Sequence, residues 1–170
     1  MRRGVRLGVD AGEARVGLAA SDADGVLATP VVTLPRDHDH ESDLRAIARE
    51  ALERRAVEVV VGLPRGLDGR EGVAAARARD YAAALNRHLS GVPVRLVDER
   101  LTTVDAHRAL HASGVAGRRH RDSVDQQAAV LILQSALDRE RSTGEPAGTV
   151  VGGRRPRARR ARVGGEGRQS

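Results

Sequence analysis

The chain contains no cysteine, no phenylalanine, no tryptophan and no lysine. Without thiols there is no disulfide scaffold, no thiolate nucleophile and no zinc site built on cysteine. A single aromatic ring, Tyr81, serves all 170 residues, which excludes single-strand binding on a stack of aromatic platforms. No apolar run reaches the roughly 18 residues of a membrane span. The opening Met-Arg-Arg-Gly-Val-Arg-Leu-Gly lacks the apolar centre of a signal peptide. A soluble, cytoplasmic protein with no membrane partner is the expectation.

What the chain does have is aliphatic: apolar residues make up 40% of it, chiefly valine, leucine and alanine. Such a core packs smooth helices on smooth strands, as in an α/β architecture. The formal charge of +6 is unevenly spread. From Ser142 to Ser170 seven arginines meet only Glu145 and Glu166, a net +5, so residues 1–141 carry about +1. A nearly neutral folded part binds nucleic acid through local patches rather than through overall charge. The composition divides the chain into a folded domain, 1–141, and a tail, 142–170. The tail is Gly, Arg, Pro and Ser with too little apolar content to order itself, and its arginines offer weak, salt-sensitive affinity for RNA.

Residues 3–10 read as a strand ending at the turn Asp10-Ala-Gly-Glu-Ala, 15–21 as its hairpin partner and 31–34 as a third strand. Leu44, Ile47, Ala48, Ala51 and Leu52 have helical spacing over 42–55, with Ser42 as N-cap. A buried strand over 57–62, a glycine-rich loop over 63–72, an alanine-rich helix over 73–89 and a strand over 94–97 follow. Thr102 or Thr103 then caps a helix to about His111, 114–121 is a flexible basic loop, and a last helix covers about 124–141. Three meandering strands and two α–β units predict a five-stranded mixed sheet with helices on both faces.

Acidic residues stand where separate elements end: Asp10 after the first strand, Asp98 and Glu99 after the last, Asp122 and Asp125 at the final helix. Gathered carboxylates repel one another and call for a cation, and oxygen ligands favour Mg²⁺ or Mn²⁺. Two such ions can hold a scissile phosphate, activate water and stabilise the leaving oxygen. Taken singly, each acid also has a plain structural reading as a turn former, helix cap or solvated strand end. Strand alternation puts Asp98 and Glu99 on opposite faces, so one of them reaches the ions, and Glu99 is favoured.

Order and spacing go further. Four stretches, Leu7-Gly8-Val9-Asp10-Ala11-Gly12 through Arg15-Val16-Gly17-Leu18-Ala19-Ala20-Ser21-Asp22, Val60-Val61-Gly62-Leu63-Pro64 with Asp68-Gly69, Asp98-Glu99-Arg100-Leu101-Thr102-Thr103, and Val124-Asp125-Gln126-Gln127-Ala128-Ala129-Val130-Leu131-Ile132-Leu133, occur in this order. In them the chain resembles the YqgF/RuvX family over about residues 4–138. The resemblance implies an RNase H-like α/β fold related to RuvC Holliday junction resolvases. It also implies a metal-dependent nuclease that matures the 5′ end of pre-16S rRNA. The family's acids fall on Asp10, the Asp98–Glu99 pair and Asp125. Asp122 with Asp125 resembles the paired aspartates of the resolvases.

Arg15 and Arg100 are candidates for phosphate contact, or else structural partners of the acids. Arg118 and Arg119, beside His120, border the proposed site and could grip a nucleic-acid backbone. Glycines 62, 66, 69 and 72 read as turn residues, with no P-loop lysine to make them a phosphate cradle. The turn at Asp10 also resembles the phosphate turn of actin-like ATPases, but no second domain or second glycine-rich loop follows. A non-catalytic binding module would prefer arginine to carboxylate near phosphate. Between a pre-rRNA, alone or in a ribosomal particle, and a branched DNA junction the motifs leave the substrate open. A resolvase would act as a homodimer so that two sites cut symmetrically.

Overall fold

The computed structural model describes residues 1–101 and 118–152, without the side chains of 101 and 118–123. Its strands are β1 (Arg6–Ala11), β2 (Arg15–Ser21), β3 (Ala28–Pro35), β4 (Glu58–Leu63), β5 (Val94–Asp98) and β6 (Thr149–Val150). Its helices are α1 (Ser42–Glu53), α2 (Val73–His88) and α3 (Arg118–Thr143), with a short 3₁₀ turn over Glu99–Leu101. The sheet order is β3-β2-β1-β4-β5-β6. The β1–β2–β3 meander is antiparallel, β1, β4 and β5 run parallel, and β6 returns antiparallel beside β5. The outer strand β3 carries Pro30 and Pro35, and its ladder with β2 breaks register between Leu18 and Ala19, leaving Val31 as the extra residue.

Sheet alternation sorts the core into two layers. Leu7, Val9, Val16, Leu18, Val59, Val61 and Leu96 face α1 and α2. On the other face Ala19, Val60 and Val97 meet Ala128, Ala129, Ile132, Leu133, Ala136 and Leu137 of α3. Small residues dominate this second layer, so α3 comes down close to the strands. A Cβ placed on Gly8 would lie 2.6 Å from Leu133 Cβ, and one on Gly17 would collide with the Asp125 carbonyl oxygen.

Several sequence expectations need correction. The mixed sheet has six strands, because Thr149–Val150, within the segment assigned to the tail, pairs with Arg95 and Leu96. That pairing is anchored by Arg95, whose guanidinium donates to the Ala147 and Gly148 carbonyls. Helix α3 begins at Arg118, inside the segment read as a loop. Ser42 is the first residue of α1 rather than its cap. Glu41 holds the cap position with φ 56, and the Asp37 carboxylate accepts from the Ser42 and His40 amides. The helix expected over 102–111 lies outside the described residues. Among those described, no helix is long and apolar enough to cross a membrane.

At the amino ends of β1 and β4 a chain of buried charges fastens α3. Arg6, Glu58 and Glu140 are 1%, 3% and 3% exposed. Arg2 donates to Glu140 at 2.9 Å and to Glu58 at 3.0 Å, and Arg6 reaches Glu140 at 3.4 Å.

Candidate active site

The opposite end of the sheet carries the acids. Asp10 follows Val9, whose side chain belongs to the α1–α2 layer, so Asp10 projects toward α3. It is 6% exposed. In the β1–β2 ladder it pairs with Gly17, and in the β1–β4 ladder it is one step past the Val9–Val61 pair, level with Gly62. These two glycines decide what surrounds it. Over Gly17 lies the backbone of Asp125. Against Gly62 lies the Glu99 carboxylate, since a Cβ there would be 2.6 Å from Glu99 Oε1 and 2.5 Å from Ile132 Cδ1. Neighbouring strands are about 4.8 Å apart. The elements bearing Glu99 and Asp125 therefore meet the sheet on either side of Asp10, one strand away in each direction.

Glu99 is 2% exposed and shares the α3 face, whereas Asp98 is partly exposed and engaged by arginine. Arg100 Nε donates to both Asp98 oxygens at 3.1 and 3.0 Å, and its Nη2 to Oδ2 at 2.6 Å. These bonds hold the Asp98 carboxyl below the usual carboxylate range, and raise the Arg100 guanidinium in turn. Arg15 donates through Nε to Asp125 Oδ2 at 2.8 Å. In this structure, then, Arg15 and Arg100 are partners of acids.

The turn after Asp10 is tightly held. Gly12 N–H donates to the Arg15 carbonyl at 2.9 Å, and Arg36 donates its amide to the Ala14 carbonyl and its Nη1 to that of Gly12. Arg36 stacks 4.6 Å over the Tyr81 ring, and the Tyr81 hydroxyl donates to Asp43 at 2.9 Å. Burial pushes the Tyr81 hydroxyl well above its ordinary pKa.

Of the sequence-predicted residues, Asp10, Glu99 and Asp125 are brought to one face, with Asp98 and Arg100 paired beside them. The side chains of Asp122, Arg118 and Arg119 lie outside the described residues. Sequence reasoning misassigned Gly62, which is no turn residue but a mid-sheet position whose missing side chain makes room for Glu99 and Ile132. It also passed over Arg65. The available signal was position, since Arg65 leaves the carboxyl end of a parallel strand, where α/β sites gather. The donor set suits a hard divalent cation, being entirely carboxylate oxygen. Among the described residues no three acids or histidines close into a metal cage, and Asp125 is turned to Arg15.

Comparison with known proteins bears on the fold and the family. RuvC of Thermus thermophilus, solved in complex with a Holliday junction substrate, matches with a TM-score of 0.55 at 14% identity, covering 86% of this chain and 99% of that one. At that identity the likeness speaks for the fold, which is RNase H-like. A protein of Kineococcus radiotolerans is 58% identical over 167 residues, 98% of this chain and 88% of its own. One of Streptomyces coelicolor is 52% identical over 151 residues, covering 89% and 90%. Both bear the name "Putative pre-16S rRNA nuclease". Fold and relatives together define the chain as a nuclease of the RNase H-like class. It belongs to the RuvX family, whose model, described as Holliday junction resolvase, matches residues 4–139.

Proposed function

We propose that the protein is a metal-dependent endonuclease that processes the 5′ end of pre-16S rRNA, free or within a ribosomal particle in the cytoplasm. The observation that carries this reading is the convergence of Asp10, Glu99 and Asp125 on one face of the sheet, each from a different element.

Asp10, Glu99 and Asp125, with Asp122 as a further candidate, would hold Mg²⁺ or Mn²⁺. When bound, a pair of such ions supplies Lewis acidity at the phosphate and acidifies a water. The chain's own contribution is placement. The Arg36 clamp fixes the turn next to Asp10, the bare surfaces of Gly17 and Gly62 admit the other two acids, and Arg15 orients Asp125. Asp98 is a positioning residue that fans out the Arg100 guanidinium beside Glu99. Arg100, Arg118 and Arg119 are assigned to the phosphates that flank the cut.

The test incubates wild type and Asp10→Asn with a pre-16S rRNA precursor and with four-way DNA junctions, with and without Mg²⁺ or Mn²⁺. Wild type is expected to shorten the precursor only with metal. Asp10→Asn is expected to lose at least about a hundredfold in rate. Its melting temperature should be unchanged or higher, because carboxylate repulsion is relieved. Undiminished cleavage by both Asp10→Asn and Asp125→Asn would overturn the assignment. Metal-dependent cutting of junctions in preference to RNA, together with a dimer in solution, would select the resolvase reading that the family description favours.

A further inference from the structure

We propose that Arg65 is a phosphate-binding residue that holds the nucleic-acid backbone in a cleft along the edge of β5. Arg65 follows Pro64 in the loop that leaves the carboxyl end of β4. Its nearest acid is Asp98, with Nη1 3.8 Å from Oδ2, too far for a hydrogen bond. Both Asp98 oxygens are already taken, because Arg100 supplies its backbone N–H as well as its side-chain donors. The Arg65 Nε is buried and has no hydrogen-bond partner among the described residues. A guanidinium carries five donors, and leaving a buried one unsatisfied is costly. A ligand or an ordered water completes such a group.

The surroundings identify that ligand. The Arg65 side chain is 30% exposed. It lines a cleft of about 330 Å³ with Leu63, Leu96, Asp98, Arg139 and Thr149. Strand β6 pairs with Arg95 and Leu96, so the cleft follows the edge of β5 beyond that pairing, up to Asp98, the residue before Glu99 in the chain. Two arginines face one carboxylate whose charge Arg100 already neutralises, so the cleft selects an anion. The exposed Nη end of the guanidinium is what a phosphate oxygen entering the cleft would meet, two Nη donors side by side matching two phosphate oxygens. A phosphodiester of the bound strand, outside the cut itself, fits this charge. This inference rests on the nuclease reading and adds a substrate contact to it.

The test measures binding of a fluorescein-labelled pre-16S rRNA 5′-leader fragment in the cleavage-dead Asp10→Asn background, over a range of salt. It compares that background with the same chain carrying Arg65→Met or Arg65→Lys. Arg65→Met is expected to raise Kd about tenfold and to lower the slope of log Kd against log salt by about 0.7, the loss of one phosphate contact. Arg65→Lys should recover the slope but only part of the affinity, because it keeps the charge without the fork. In otherwise wild-type enzyme Arg65→Met should raise KM with kcat within about twofold, as loss of uniform binding does. Its melting temperature should not fall. An unchanged Kd and slope, with wild type still cleaving, would overturn the proposal and leave the nuclease reading standing. A clear drop in melting temperature would make Arg65 a structural residue and also overturn it. Wild type that neither binds nor cleaves would bring down both.

Discussion

At the scale of single residues, the site depends on side chains that are missing as much as on those present. Gly17 is the sharpest case. It is paired with Asp10, and the Asp125 carbonyl occupies the space where a β-carbon would stand. Backbone cannot swing aside as a flexible side chain can, so Gly17→Ala must lift the start of α3. Overpacking of this kind costs about 1–3 kcal/mol, which denaturant titration should register. Because the lift moves Asp125, cleavage should fall further than stability alone explains when assayed well below the melting temperature. Gly72→Ala provides the contrast, since nothing lies within 4 Å of its β-position. It should leave both stability and cleavage close to wild type.

At the scale of elements, α3 is the part on which the candidate catalytic face leans. Leu133 is fully buried and presses on Gly8. Leu133→Ala is expected to cost about 2–5 kcal/mol, read as a lower midpoint in urea with an unchanged slope. The body of this helix was legible in the sequence because Ala128, Ala129, Ile132, Leu133 and Ala136 repeat at helical spacing. Its first turn was not, because Arg118-Arg119-His120-Arg121 carries no apolar period and reads as a loop. The strands β1, β2, β4 and β5 were legible for the opposite reason, as short valine- and leucine-rich runs. Strand β6 escaped because Thr149–Val150 is two residues of a polar stretch, and its place depends on arginine Arg95, 52 residues away from Ala147. The candidate site divides the same way. Asp10, Glu99 and Asp125 could be named from their places at the ends of elements and from the family resemblance, with alternation favouring Glu99 over Asp98, whereas the Arg36–Asp43–Tyr81 support and the buried Nε of Arg65 exist only once the chain is folded.

At the scale of the whole molecule, the proposed site and the fastening sit at opposite ends of one helix. The 26 residues of α3 span about 39 Å. Its early turns bring Asp125 to Asp10, and its last turns bring Glu140 to Arg2 and Arg6. The Arg2 hydrogen bond, aided by the Arg6 charge, holds the Glu140 carboxyl below its ordinary value of 4.5. A carboxylate so depressed stabilises the fold fully above pH 4.5 and loses that contribution as pH falls through its lowered folded value. Glu140→Gln should cost about 3 kcal/mol at neutral pH, because Arg6 is left as a buried cation without its acid. The gap in melting temperature between wild type and Glu140→Gln should be flat from pH 5 to 7 and narrow below 4.5. A gap that widened with acid would contradict the lock.

The outer strand β3 has one more consequence. Its prolines, Pro30 and Pro35, present no amide hydrogen along the rim, and the irregularity at Val31 adds a kink between them. The far rim is only the two residues of β6. A strand from a neighbouring molecule thus finds no long, regular row of donors and acceptors on either side. The edges of this valine- and alanine-rich sheet are therefore poor templates for adding a strand.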